Sequence, residues 1–166
     1  MSIEEFKKSK KLPVVILLDN IRSMYNVGSA FRTADAFMIE KIILAGITAK
    51  PPHREIHKSA LGATESVVWE YYESTSDALN NLKSQGYTIV SIEQAIPHVT
   101  LNKFKPLAGM KYCFIFGNEV NGVEEGVIQA SDICIEIPQG GTKHSLNISV
   151  SIGVVLWKFF EESQKL

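Results

Sequence analysis

The chain has 166 residues, of which 45% are hydrophobic and 21% are charged. This is enough for one domain that buries roughly 70% of the surface of its unfolded chain, and it excludes a fibrous or disordered protein. Lys and Arg together number 17 and Asp and Glu 18, so the chain lacks the strong overall basic field that marks some nucleic-acid binders by composition. Local basic patches can still contact phosphates.

No apolar run approaches the ~20 residues of a membrane-spanning helix, and the segment from Met1 to Lys8 lacks the hydrophobic core of a signal peptide. We therefore expect an intracellular, cytoplasmic protein without membrane contact. Cys113 and Cys134 each lie in an apolar stretch and form no Cys-x-x-Cys pair, which predicts two buried thiols and no metal centre. We expect a single domain over residues 1–166 that begins with a short basic leader, residues 1–11.

Short apolar runs along the chain predict a parallel sheet. The first, Leu12 to Leu18, is continuously apolar, which is typical of a strand that is covered on both faces. Similar runs follow, so we predict six strands. The later runs are Lys41 to Ala45, Val67 to Trp69, Tyr87 to Ile92, Tyr112 to Phe116 and Ile133 to Ile137.

Segments with helical spacing lie between these runs and predict an α/β fold. Apolar residues recur at that spacing from Val27 to Phe37, and Ser76 is a potential N-cap of a helix that ends before Gly86. The stretch 95–104 lacks clear periodicity, and we expect an ordered connection there.

The tail from Ser145 to Leu166 is ambiguous by periodicity alone. Its first half alternates in the period of a half-buried strand, from Leu146 to Val154. Its length, the cap-competent Ser145 and the continuation to Glu161 favour a helix. Such a helix is apolar on most sides and must be covered by something, for which a partner subunit is one candidate.

Several common sites are excluded. The chain has no P-loop and no Gly-x-Gly-x-x-Gly after a strand, and the Glu between His53 and His57 is misplaced for a zinc-protease helix. This segment is either a solvated basic loop or a phosphate contact made by Lys50, His53, Arg54 and Lys58.

Three transitions from strand to loop carry unusual polar content. In the first, after Leu18, Asn26 is a potential helix cap; in the second, a strand stops at Gly117 and Glu119 follows; the third is the Gly-rich loop between Ile137 and Asn147. Because loops at the carboxyl ends of parallel strands converge on one crevice, we expect these three to form one site.

These stretches, in this order, resemble the SpoU (TrmH) class of the SPOUT superfamily, the S-adenosylmethionine-dependent RNA ribose 2′-O-methyltransferases. A stretch from Lys58 to Ala63 is also similar to this class. The segments that carry the resemblance are Asn26 to Arg32, Phe116 to Glu119 with Gly122, Ile137-Pro138, and Ser145 to Asn147.

The resemblance implies a mostly parallel sheet flanked by helices with a C-terminal trefoil knot, and a homodimer whose sites lie beside the subunit interface. It implies S-adenosyl-L-methionine as cofactor and RNA as partner, with tRNA as our first expectation and rRNA as the second; no metal is implied. It also implies a catalytic domain without an appended RNA-binding domain. Two alternatives stay open: a catalytically silent RNA-binding module of the same fold and, from the α/β pattern alone, a flavodoxin-like mononucleotide binder.

The resemblance also assigns site residues. We expect Arg32 to bind the target phosphate and stabilise the developing alkoxide, because a guanidinium with a pKa above ~12 is a poor base. We expect Glu119 to hold Arg32 or Asn26 in place. The predicted catalytic residues are Asn26, Arg32, Glu119, Ser145 and Asn147, and the predicted cofactor-binding residues are Ile92, Gly117, Ile137, Ser145 and Leu146.

Overall fold

The computed structural model describes residues 1–143 and 145–166; His144, which falls in the third predicted loop, lies outside the described residues. In the described ranges seven strands form one sheet in the order β3-β2-β1-β6-β4-β7-β5, and every neighbouring pair is parallel. The strands are β1 (Leu12–Asp19), β2 (Ile39–Ala45), β3 (Val68–Tyr72), β4 (Tyr87–Ile92), β5 (Val99–Thr100), β6 (Lys111–Phe116) and β7 (Ile133–Glu136).

The six predicted strands and the parallel sheet are confirmed. The seventh strand, β5, has only two residues and lies within the ordered connection 95–104, where a 3₁₀ turn (Leu101–Lys103) follows it. A strand this short at the edge of the sheet shows no periodicity that a sequence pattern can detect. The trefoil knot stays a prediction.

Helices cover both faces of the sheet. Helices over the segment from Val27 to Phe37, before Gly86 and in the C-terminal tail were predicted. The segment from His53 to Lys58, for which we weighed a solvated loop, is mostly helical. The helices are α1 (Ile3–Lys8), α2 (Met24–Ala36), α3 (Arg54–Ala60), α4 (Ala63–Ser66), α5 (Thr75–Ser84), α6 (Glu125–Ala130) and α7 (Ile148–Ser163). Among the described residues, no helix has both the length and the apolar character of a membrane span.

The predicted N-caps were wrong by two or three residues. Each of these segments contains several cap-competent side chains, and the fold selects the one at which the chain turns away from helical geometry. At α7, for example, the Asn147 side chain accepts a hydrogen bond from the Ser149 N–H at 2.9 Å. Ser23 caps α2 in place of Asn26, Ser74 caps α5 in place of Ser76, and Asn147 caps α7 in place of Ser145.

Alternate residues of β1 belong to two separate cores. Ile16 and Leu18 pack in a cluster with residues of α2 and α7, whereas Leu17 packs with residues of α5 and α6. All three side chains are fully buried, which explains why β1 is apolar at successive positions. The predicted burial of Cys113 and Cys134 is also confirmed.

Close packing of α2 against α3 fixes the start of α2, which carries Asn26. The contact occurs at Gly28, where a Cβ atom would overlap the Ser59 hydroxyl oxygen and the Ile56 carbonyl oxygen. The Ser59 hydroxyl also donates a hydrogen bond to the Tyr25 carbonyl oxygen at 3.0 Å. Only glycine lets the two helix backbones approach this closely.

We therefore expect Gly28→Ala to lower the free energy of unfolding by about 1–3 kcal/mol, because the overlap outweighs the gain in helix propensity. Urea denaturation measures the change. Gly126→Ala in α6 is the matched control, since a Cβ built there has no described atom within 4 Å apart from its chain neighbours and the adjacent backbone of α6. Equal stability of the two variants would contradict the packing constraint.

Candidate active site

An open cleft of about 610 Å³ lies at the carboxyl edge of the sheet. Loops that follow β4, β6 and β7 form it together with the first turn of α7, and these three strands are neighbours in the sheet. Its volume is in the range of small-molecule and cofactor sites. Asn26 and Arg32 do not line the cleft. All the other predicted site residues do: Ile92, Gly117, Glu119, Ile137, Ser145, Leu146 and Asn147.

Glu119 connects this cleft to the loop after β1. Its Oε2 accepts a hydrogen bond from the Arg22 backbone N–H, and its Oε1 accepts one from the Ser23 backbone N–H, each at 3.0 Å. The Asn26 Nδ2 donates to the same Oε1 at 3.3 Å. Asn26 is 5% exposed, so its side chain is held in place by packing and by this carboxylate together.

These contacts shift the acidity of Glu119. Partial burial alone would raise the pKa of the Glu119 carboxyl, but hydrogen bonds from the Arg22 and Ser23 backbone N–H groups outweigh it and lower the pKa below its usual value. The Asn26 amide acts in the same direction. Glu119 is therefore an ionised hydrogen-bond acceptor at neutral pH rather than a proton carrier.

Asn118, which the sequence did not single out, makes a second connection. Its Nδ2 donates to the Asn20 carbonyl oxygen at 2.7 Å, and its Oδ1 accepts from the backbone N–H groups of Val120 and Asn121 at 2.9 and 3.2 Å. One amide side chain thus both closes the turn after β6 and joins that turn to the loop after β1. An Asn in a turn directly after a strand was the available signal.

Two glycines and a carboxylate close the loop after β6 on itself. A Cβ at Gly117 would overlap the backbone of Gly122 and Val123, and a Cβ at Gly122, whose φ is +69°, would overlap the Glu93 carboxylate. Glu93 Oε2 accepts a hydrogen bond from the Val123 N–H at 3.0 Å. The need for Gly117 thus comes first from close approach of the backbone, and sequence reasoning missed Glu93.

Arg32 does not lie in this cleft. It is exposed on α2, and it lines a second cavity of about 480 Å³ together with residues of α1 and α4. Six positions of α-helix turn Arg32 away from the direction of Asn26. The expected contact between Glu119 and Arg32 is absent from the described residues, so Glu119 holds Asn26 but not Arg32.

The basic segment after β2 is engaged in local contacts. The Lys50 ammonium lies 4.0 Å from the centre of the Tyr71 ring, the His53 ring caps α3 by accepting from the Glu55 N–H at 3.2 Å, and Lys58 pairs with Glu55 at 2.9 Å. In the same described ranges no group of three His, Cys, Asp or Glu side chains is arranged to hold a metal ion. Phosphate contact by these residues stays a prediction.

The model of the SpoU rRNA Methylase family matches residues 13–157 of the chain. The chain belongs to this family. The match spans every strand of the sheet except the first residue of β1, and it includes all the loops that form the cleft.

Individual relatives agree with this assignment. The chain is 31% identical over 156 residues to a Borreliella burgdorferi protein named as an uncharacterized tRNA/rRNA methyltransferase, which covers 94% of the chain and 67% of the relative. It is 30% identical over 166 residues to the 23S rRNA (guanosine-2′-O-)-methyltransferase RlmB of Nitrosomonas europaea, covering 97% of the chain and 61% of the relative. The chain thus spans about two thirds of the length of these relatives or less.

Solved structures share the fold. The TrmH/SpoU tRNA modifying enzyme of A. aeolicus superposes with a TM-score of 0.85 at 23% identity, covering 98% of this chain and 81% of that one. An AdoMet-bound rRNA methyltransferase of Sinorhizobium meliloti superposes with a TM-score of 0.83 at 25% identity, covering 90% of this chain and 56% of that one. The predicted SPOUT-type architecture is confirmed.

The lowered pKa of Glu119 has a consequence for stability. Because the pKa is lower in the folded than in the unfolded chain, the ionised carboxylate stabilises the fold at pH values above the unfolded pKa, and this contribution is lost as the pH falls through the folded pKa. We expect Glu119→Gln to cost about 1 kcal/mol at neutral pH and progressively less in acid. Thermal unfolding between neutral and acidic pH measures the difference.

The control is Glu73→Gln in the exposed turn between β3 and α5, where no hydrogen bond or ion pair of the Glu73 carboxylate occurs in the described part of the chain. A stability difference for Glu119→Gln that stays the same in acid, or that equals the effect of Glu73→Gln, would contradict the assigned contact.

Proposed function

We propose that the chain transfers the methyl group of S-adenosyl-L-methionine to a ribose 2′-hydroxyl of RNA. The observation that carries the proposal is a cleft in a SpoU-family chain that two separate polar segments line, one through Glu119 and the other through Ser145 and Asn147, while Asn26 of a third segment bonds to Glu119. Two names support it: RlmB of N. europaea is a 2′-O-methyltransferase, and the S. meliloti structure is AdoMet-bound.

The cleft has the character that this cofactor requires. The apolar residues Ile92, Ile137 and Leu146 line it and suit an adenine ring, while the closed loop after β6 can offer backbone groups to a ligand. When bound, the cofactor supplies an electrophilic methyl group on a sulfonium. We assign its contacts to Ile92, Gly117, Ile137, Ser145 and Leu146.

Asn26 and Asn147 each keep a side-chain group that can still form a hydrogen bond with a ligand. Asn26 donates its Nδ2 to Glu119, and its Oδ1 can accept a hydrogen bond from a ligand. The Asn147 Oδ1 accepts from the Ser149 N–H and hydroxyl groups, and its Nδ2 can donate. Together with the Ser145 hydroxyl, these groups can orient the ribose, since an in-line displacement depends mainly on alignment of oxygen, methyl and sulfur.

Arg32 enters the proposal through a second copy of the chain. The α7 helix exposes Val150, Val154 and Trp157 at 50%, 39% and 57%, which leaves an apolar stripe without cover in a single copy. We propose a homodimer that covers this stripe and brings Arg32 of one subunit to the cleft of the other, where it binds the target phosphate and stabilises the developing alkoxide.

We propose tRNA as the first substrate and rRNA as the second, both in the cytoplasm. The formal net charge of −1 gives the surface no strong overall basic field. A compact folded RNA that docks by shape suits such a surface better than an extended one.

The decisive experiment combines purified protein, radiolabelled S-adenosylmethionine and, separately, unmodified tRNA and rRNA, and then locates the label by nuclease digestion. We expect label at ribose 2′ positions, with tRNA the better acceptor. Label on bases or on protein would refute the chemistry. RNA binding without transfer would instead favour the silent RNA-binding module, and a bound flavin absorbance would favour the mononucleotide binder.

The role of Arg32 predicts complementation between subunits. We expect Arg32→Ala to abolish transfer while it leaves cofactor affinity unchanged, and Glu119→Ala to inactivate the cleft. When the two variants are unfolded and refolded together, the mixed dimer has one site with both groups, so about a quarter of wild-type activity should return. The matched control is Arg32→Ala refolded alone. No recovery, with mixed dimers present by mass spectrometry, would place Arg32 outside the partner's site.

A further inference from the structure

The backbone at Arg22 is fixed on both sides. Its own N–H bonds to Glu119 at 3.0 Å, and the preceding residue, Ile21, is 1% exposed with its N–H bonded to the Thr48 hydroxyl at 2.9 Å. The Ser23 N–H that follows also bonds to Glu119. Arg22 therefore projects an exposed side chain from a rigid position beside the cleft.

The Arg22 guanidinium forms no ion pair in the described part of the chain. Within residues 1–143 and 145–166 it makes no hydrogen bond and no ion pair, while the Glu119 carboxylate, which accepts from the Arg22 backbone N–H, is also bonded to the Ser23 N–H and to Asn26. By contrast, the ammonium group of Lys41 in β2 forms an ion pair with Glu70 at 2.7 Å. A rigidly held cation that no side chain neutralises is suited to an anionic ligand.

The charges of the cleft lining explain why RNA binding requires a cation beside it. Its described lining contains two carboxylates, Glu93 and Glu119, and neither a lysine nor an arginine. RNA is a polyanion, and its backbone gains nothing from these carboxylates. S-adenosylmethionine offers one α-carboxylate and no phosphate, whereas RNA offers a phosphate at every nucleotide, so we assign an arginine at the edge of the cleft to the nucleic acid and test the cofactor separately.

We propose that Arg22 binds the RNA backbone phosphate beside the target ribose, from the same subunit that holds the cofactor. This rests on the proposed function and specifies how its substrate is held. Arg22 acts on the side of the cleft nearest β1, and its planar guanidinium can donate two parallel hydrogen bonds to one phosphate group. The rigid Glu119 contact sets the distance between that phosphate and the cleft.

The test compares Arg22→Gln, Arg22→Lys and Lys111→Gln in the otherwise unchanged protein. Lys111→Gln removes the same charge at the first residue of β6, at the opposite end of the sheet. Binding of fluorescein-labelled oligouridylate by anisotropy over a range of salt concentrations measures the backbone contact, and calorimetry measures the affinity for S-adenosylmethionine.

We expect Arg22→Gln to weaken oligouridylate binding about tenfold and to reduce the salt slope of log K by about 0.7, the value for one single-strand phosphate contact. Arg22→Lys should keep the slope but recover only part of the affinity, because an ammonium lacks the paired donors. Cofactor affinity and melting temperature should match those of the wild type. For unmodified tRNA, KM should rise more than kcat falls.

Two results would overturn the assignment: an Arg22→Gln variant with the affinity and salt slope of Lys111→Gln, or one that loses S-adenosylmethionine binding. Failure of the proposed function would give a different experimental result. In that case the wild type would methylate no RNA, while a lower salt slope for Arg22→Gln would still support the phosphate contact.

Discussion

The site depends on one interaction, the acceptance of two backbone N–H groups at the start of α2 by the Glu119 carboxylate. Leu18 of β1 and Phe116 of β6 are partners in the parallel register, so the loops that follow these strands begin side by side. The first N–H groups of a helix lack intrahelical partners and attract negative charge. Glu119 accepts from the N–H of the N-cap Ser23 and from that of the preceding Arg22, and thereby joins the cleft to the helix that carries Asn26.

This connection dictates small residues around it. The loop after β6 must return on itself to bring Glu119 to α2, and its ends come so close that Gly117 cannot carry a Cβ. Glu93 then occupies the space beside Gly122, with a hydrogen bond to the Val123 N–H. The cleft is therefore shaped by backbone held in place by side-chain carboxylates, which is a rigid basis for positioning a reacting group.

The strands and the buried core could be predicted from the sequence because their pattern lies in consecutive residues. Continuous apolar runs predicted the strands. The carboxyl-end rule predicted that the three polar loops form one site; the loops after β6 and β7 line the cleft, and the loop after β1 is hydrogen-bonded to the loop after β6. Contacts between distant residues were not readable: Arg22 and Glu119 are 97 positions apart, and nothing local marks them as partners. The N-cap predictions were wrong for another reason. At α2, for example, Ser23 and Asn26 both have side chains that can cap a helix. Arg32 lies six helical positions after Asn26, and α-helical geometry turns such a residue to another face of α2.

Charge divides the site into two parts with different requirements. The carboxylates of Glu93 and Glu119 accept hydrogen bonds from neutral N–H groups, and for Glu119 these bonds lower the pKa of the carboxyl. Negative charge in the cleft favours the sulfonium of the proposed cofactor. The same charges repel phosphates, so any cation for RNA must lie at the edge, where Arg22 is already fixed by Glu119. One carboxylate therefore acts on both sides: it contributes to the potential felt by the proposed methyl donor and holds the residue assigned to the acceptor strand.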